Sequence, residues 1–258
     1  VDAAAPAPIA ELEASGDWGA VDFISDLHLQ AQVPTTFEAL DEYLAHTPAQ
    51  AVFVLGDLFE AWVGDDAAAE PGYEADCAAL LASAARRRPL FFMAGNRDFL
   101  VGQDLARLCG IGLLHDPTVL VFGGHRWLLS HGDALCTGDA AYQQYRAQVR
   151  DPAWMAQFLR KPLAQRHAMA RQMRDASRDH QRGLPAYADV DAASARDALR
   201  AARADTLIHG HTHRPGEHAL GEGLRRIVLS DWDLQASPPR AQVLRLSRGG
   251  GLDRIDLR

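Results

Sequence analysis

Five short stretches of the chain carry side chains able to hold metal ions: Asp26-Leu27-His28, Gly56-Asp57, Gly95-Asn96, His131-Gly132-Asp133 and Gly210-His211-Thr212-His213. Asp26, His28, Asp57, Asn96, His131, His211 and His213 together offer four imidazoles, two carboxylates and one amide oxygen. Mixed nitrogen and oxygen donors without a thiolate suit Mn, Fe or Zn rather than a structural cysteine-type zinc. Seven donors are too many for one tetrahedral ion and about right for two ions that share a carboxylate. Two ions roughly 3.5–4 Å apart are the arrangement that straddles an in-line displacement at phosphorus. On extended backbone, residues i and i+2 point to one side, so Asp26 with His28, and His211 with His213, would each address one cavity. Gly56, Gly95 and Gly210 permit sharp turns and close backbone approach. Taken singly, each cluster has an ordinary reading: a Gly-Asp turn, or a pair of surface histidines. It is their occurrence in order, each after a predicted strand, that points to chemistry.

The elements that must position them are legible as apolar runs. VDFISDLHL (21–29), AVFVLGDLFE (51–60) and PLFFMAGNRD (89–98) each read as a buried strand ending in a polar cluster. Helical patterns lie between them, from Thr36 to Ala45 and from Tyr73 to Arg87. Alternation of strand and helix predicts a parallel sheet. After residue 98 the pattern changes: TVLVF-GG-HRWLLSHGD (118–133) reads as a hairpin turning at Gly123-Gly124. Residues 139–203 read as helices only, and DTLIHGHTHRP (205–215) as another strand. EHAL, LRRIVLS, AQVLRLS and LDRIDLR then read as a meander of short strands. The fold class is therefore α/β, with two packed sheets flanked by helices and a helical insert between them. Polar clusters at strand carboxyl ends are where open α/β sheets bind ligands.

Composition narrows the class. The chain has 258 residues, 48% hydrophobic and 23% charged, with a net charge of −8 and eleven histidines. Acidity argues against a general nucleic-acid binder, and no apolar run reaches the ~18 residues of a membrane span. Residues 1–19 are Ala/Pro-rich and expected to be a flexible leader, without the basic start and apolar stretch of a signal peptide. Cys77, Cys109 and Cys136 are dispersed, which fits a reducing cytosol rather than a disulfide scaffold. The charge is uneven: residues 140–203 hold twelve Arg or Lys against six Asp and no Glu, a net of +6, leaving −14 on the rest. Such a basic insert on an acidic body suggests an anion-facing element. His167, Arg171, Arg174, Arg178 and Arg182 step along one helix face, while Trp154, Met155, Phe158, Leu159 and Leu163 give the same block an apolar side. Arg beside apolar surface suits acyl chains, phosphate and a membrane surface; a solvated charged face is the plainer reading. Cys136 and Met169 read as core.

The ordered signature D-x-H, G-D-x-x-E, G-N-x-D, H-G-D and G-H-T-H resembles that of the calcineurin-like metallophosphoesterases. The longer strings ISDLHL, LGDLFEAWVGDD, GNRDFL, HGDALCT and HGHTHRP are similar to those of the UDP-2,3-diacylglucosamine pyrophosphatases of the lipid A pathway, over about residues 21–233. The resemblance implies a metallophosphoesterase sandwich over 20–258 with residues 139–203 as an inserted helical lid. It implies two Mn2+, one held by Asp26, His28, Asp57 and His213 and the other by Asp57, Asn96, His131 and His211, with Asp57 bridging. His209 falls outside the pattern, although alternation points it the same way as His211. The reaction implied is hydrolysis of a lipid-linked nucleotide sugar by water attacking the α-phosphorus of UDP-2,3-diacylglucosamine, releasing UMP and 2,3-diacylglucosamine 1-phosphate at the cytoplasmic face of the inner membrane.

Asp57, Asn96, Arg97, His131 and His211 are the catalytic residues this implies. Substrate contacts fall on Asn96, Arg97, Asp139, Ser177 and His211. Gln181 stands where related enzymes more often have Asn, Arg178 or Arg182 takes the place of a Lys, and Arg174 shares their helix face. Many phosphatases of the superfamily have a histidine where this chain has Arg97. An arginine does not serve as an acid near neutral pH but binds phosphate bidentately, which suits a pyrophosphate whose leaving phosphate needs no proton. A salt bridge to Asp98 or Glu60 is the structural alternative for Arg97, and Asp98 is expected to orient a histidine. Two other functions remain open: a nucleotide phosphodiesterase on the same site, and a metal-free scaffold on the same fold.

Overall fold

The run AVFVL at 51–55 is buried at every position, as a parallel strand covered on both faces must be. This strand, β3 (Ala51–Leu55), lies inside a six-stranded sheet. β2 (Ala20–Ile24), β3, β4 (Leu90–Met93) and β5 (Gly112–Leu114) run parallel, with Val21 opposite Ala51 and Val52 opposite Leu90. β11 (Gln242–Ser247) and β12 (Leu252–Asp256) add an antiparallel edge next to β2. The second sheet runs in the order β1 (Ala10–Glu13), β6 (Thr118–Phe122), β7 (His125–Ser130), β8 (Thr206–His209), β10 (Leu224–Val228) and β9 (Gly216–Gly221). These findings come from a computed structural model that describes residues 9–182 and 189–257.

Strand alternation sorts the apolar residues into three layers. Phe23, Phe53, Leu55 and Met93 face Leu120, Trp127, Leu129 and Ile208 between the sheets. Ile24, Val52, Val54 and Phe92 face outward onto α1 (Pro34–His46), α2 (Tyr73–Ala85) and α3 (Gln103–Cys109). Val119, Leu128 and Leu207 on the far side meet Ala195, Leu199 and Ala202 of α7 (Ala192–Ala202). The insert comprises α4 (Ala140–Val149), α5 (Pro152–Leu159) and α6 (Leu163–Arg182). Their starts are chemically marked: Asp139 caps α4, and Asp151 caps α5 with Pro152 in its first turn.

Four expectations change. The leader is not flexible throughout: β1 pairs in parallel with β6, Glu11 forms an ion pair with Arg126 at 2.8 Å, and Trp18 is buried against Phe53 and Phe91. The alternation in AELE covers only one face of an edge strand, and the Ala/Pro-rich composition conceals it. The insert ends before α7, because Asp191 caps that helix and its apolar face is the cover of the second sheet. The segment 99–115, which the apolar periodicity leaves without an element, holds α3, closed by left-handed Gly110, and β5. The closing strands form no single meander: β9 and β10 extend one sheet, β11 and β12 the other.

Candidate metal centre

β2, β3 and β4 of one sheet and β7 and β8 of the other deliver their carboxyl ends to one rim. Asp26, Asp57, Asn96, His131, His211 and His213 follow those ends directly, with His28 two residues beyond Asp26. The oxygen and nitrogen atoms of Asp26, His28 and His213 lie within 4.8 Å of one another, as do those of Asp26, Asp57 and His131. Asp26 belongs to both groups. Asn96 joins the second through Oδ1, 3.0 Å from His131 Nε2. His211 stands beside it, ring centroid 5.1 Å from that of His131, while its main-chain N–H donates to Asp26 Oδ2 at 2.9 Å.

The backbone route differs from the extended one expected. Asp26, His28, Asp57, His211 and His213 have φ between 50° and 67°, five of the seven such non-glycine residues described. Left-handed backbone at Asp and His is uncommon and costs free energy. Here the Asp26 and His28 N–H groups donate to the carbonyls of Gly56 and Asp57, at 3.1 and 3.0 Å, which holds the two loops against each other. Gly56, at φ 90°, has no alternative: a Cβ there would overlap the His131 ring.

Surrounding groups aim the imidazoles. His131 Nδ1 lies 2.9 Å from the Leu55 carbonyl, so it donates there and Nε2 is left for the cluster. His28 Nδ1 is 3.2 Å from Glu60 Oε2, and His213 Nδ1 is 3.8 Å from Asp231 Oδ2. The remaining Nε2 atoms of His28 and His213 face each other at 3.4 Å, with Asp26 Oδ1 3.3 Å from the latter. Two imidazole lone pairs converging on a buried carboxylate fit a cation between them. Electrostatics agree. Burial opposes charge on His131, yet the Asp57, Asp133 and Asp26 carboxylates push its pKa up to about 9. Such a surplus of negative charge is what a cation would neutralise.

The other expected residues fall as follows. Asp98 bonds no histidine among the described residues: its fully buried carboxylate accepts from the N–H groups of Asp57, Leu58, Phe59 and Gly95, organising both loops. Arg97 lies at the rim with its buried Nε lacking a hydrogen-bond partner. His209 points away, with Nδ1 2.9 Å from the Gly210 carbonyl and Nε2 3.5 Å from Arg226. Asp139 caps α4 by accepting from the Tyr142 N–H at 2.9 Å. Arg174 Nε is 3.2 Å from Glu60 Oε1. Ser177, Arg178, Gln181 and Arg182 have side chains outside the described residues. Asp133 received no role from the sequence beyond its place in the H-G-D string. It is fully buried and accepts from Tyr142 Oη and Arg146 Nε at 2.9 and 2.8 Å. Arg150, 3.5 Å from the same carboxylate, donates to the Gly95 carbonyl at 2.9 Å, pinning α4 to the Asn96 loop.

Beside the cluster opens a cavity of about 350 Å³. Asn96, Arg97 and Glu60 form its polar end, and Trp62, Val63, Phe99, Trp154, Phe158 and Met173 line the apolar remainder.

This fold and this site define a metal-type phosphoesterase: the family model described as calcineurin-like phosphoesterase matches residues 20–215, and the chain belongs to that family. More narrowly, it is 44% identical over 246 residues to a Stenotrophomonas maltophilia protein named UDP-2,3-diacylglucosamine hydrolase, covering 88% of this chain and 95% of that one. It is 47% identical over 243 residues to the Xanthomonas axonopodis protein of the same name, with the same coverage. A third of that name, from Chromobacterium violaceum, is 47% identical over 217 residues, 83% of this chain and 90% of its own.

Proposed function

We propose that the chain hydrolyses the pyrophosphate bond of UDP-2,3-diacylglucosamine in lipid A biosynthesis, water attacking the α-phosphorus to give UMP and 2,3-diacylglucosamine 1-phosphate. The observation that carries this reading is the apolar cavity joined to the metal cluster at Asn96 and Arg97. A phosphoesterase for small polar esters has no use for a slot walled by tryptophan and phenylalanine, whereas an acyl chain does.

Asp26, His28, Asp57 and His213 would hold one Mn2+, and Asp57, Asn96, His131 and His211 the other. Ions bound there would lower the pKa of water and neutralise charge on phosphoryl oxygens. Arg97, with its unpartnered Nε, donates to the phosphate and fixes its orientation. Asp98 holds the Asp57 and Asn96 loops in mutual register, and α4–α6 act as the lid that keeps bulk water from the acyl chains. No helix among the described residues is long and apolar enough to cross a membrane. The exposed Leu159, 40% accessible, and the adjoining Arg160 and Lys161 suit peripheral contact with anionic lipid at the cytoplasmic face of the inner membrane.

The test is an assay with Mn2+ in ¹⁸O-labelled water, comparing UDP-2,3-diacylglucosamine with UDP-N-acetylglucosamine and simple nucleotide diesters. The expected result is turnover of the diacylated substrate with label in UMP. Rapid cleavage of nucleotides without the diacylated sugar would replace the reading with a nucleotide phosphodiesterase, and label in the sugar phosphate would refute attack at the α-phosphorus.

A further inference from the structure

We propose that Glu60 is a positioning residue that ties the helical insert to the metal centre through a single carboxylate; this rests on reading Asp26, His28 and His213 as metal ligands. Glu60 is only 7% exposed, and its two oxygens are divided between two parts of the molecule. Oε2 is 3.2 Å from His28 Nδ1, on the loop after β2. Oε1 is 3.2 Å from Arg174 Nε, on α6.

The carboxylate is itself held in place. The Glu60 N–H donates to the Leu29 carbonyl at 3.1 Å, and Leu29 bridges to Phe59 in parallel register, so the backbones carrying Glu60 and His28 are locked side by side. The buried His28 Nδ1 has no hydrogen-bond partner meeting full geometry, which leaves Glu60 as the acceptor in reach. A carboxylate there keeps the imidazole proton on Nδ1 and turns the Nε2 lone pair toward His213 and Asp26. On its other side the same group pairs in charge with the guanidinium of Arg174, whose Nε at 3.2 Å lacks full hydrogen-bond geometry, and both residues line the apolar cavity. A rigid body linked at both ends transmits position: displacement of α6 pulls on the group that aims His28, and a cation drawing on His28 stabilises the group that holds α6.

The test uses MnCl2 alone on the whole chain, by calorimetry, with Glu60→Gln, His28→Ala, the double variant and Arg174→Met. Glu60→Gln is close to isosteric, and circular dichroism checks that it folds. Expected is a loss of about 10–100-fold in affinity for one Mn2+ in Glu60→Gln, the usual scale for such partners, with no further loss when the change is made in His28→Ala. Arg174→Met should raise KM and weaken Mn2+ binding by less than Glu60→Gln does, because it cuts the tie at α6 but leaves Glu60 against His28. Hydrogen exchange along α6 should slow on Mn2+ addition in wild type but not in Glu60→Gln. Wild-type Mn2+ affinity in Glu60→Gln, or losses that simply add in the double variant, would overturn the proposal. Absence of Mn2+ uptake by the wild type would instead overturn the metal reading beneath it.

Discussion

At the scale of single residues, the site separates groups that hold charge from groups that hold geometry. Asp57 lies 3.6 Å from His131 Nε2 and accepts from the Arg97 N–H at 2.8 Å, so one carboxylate faces the cluster and the Arg97 loop together. Asp57→Ala is expected to leave no more than a trace of turnover at saturating Mn2+; appreciable activity in a steady-state assay would deny it the bridging place. Arg97 lines the cavity, where we propose that it faces substrate rather than the ions. Arg97→Ala should keep its metal content, measured by mass spectrometry, and lose about 10²–10³-fold in turnover, the range for removing one preorganised donor to a developing charge. Unchanged kinetics would leave Arg97 a structural residue.

The insert and the body part company at the scale of elements. α7 buries Leu199 completely against the second sheet. Leu199→Ala should therefore cost about 2–5 kcal/mol of global stability in urea melts. Trp154 of α5 is only partly buried, stacked on Phe158 with ring centroids 5.1 Å apart and near Phe99 at 6.3 Å. Trp154→Ala should raise KM for a diacylated substrate and leave Mn2+ binding alone. These elements also show what a sequence can reveal. The buried runs of β2, β3 and β4 and the Gly123-Gly124 hairpin were legible because apolar periodicity is a local property. The end of the insert at α7 was not, since charge counted over a window cannot say which helix covers a sheet. Nor were the left-handed loops of the site: φ at Asp26 or His28 is held by a neighbouring loop far away in the chain, not by its own residues. Asp133 stood in plain view after His131, but its importance comes from Tyr142 and Arg146, which only folding brings near.

For the whole molecule, ligand linkage sets the expected response to chelation. A cation present at 100 times its Kd adds about 2.7 kcal/mol, and a chain of this size shifts about 2–4 °C per kcal/mol. Removing Mn2+ with a chelator should lower Tm by roughly 5–10 °C, read by calorimetry, and restoring it should bring Tm back. An unchanged Tm would speak against a cation held by the native state alone. The parentage of the proposed ligands gives this number a direction in space. Asp26, His28, Asp57 and Asn96 come from one sheet, and His131, His211 and His213 from the other; each tight group of three takes members from both. The ions would therefore work as rivets along one open edge of a two-leaf sandwich. Without them the leaves would be free to part at that edge first, while the apolar layer of Phe23, Phe53, Leu120, Trp127 and Leu129 holds the rest of the sandwich together. A chain whose leaves have not yet met offers neither complete rivet hole, so uptake of the metal would mark the moment the two halves come into register.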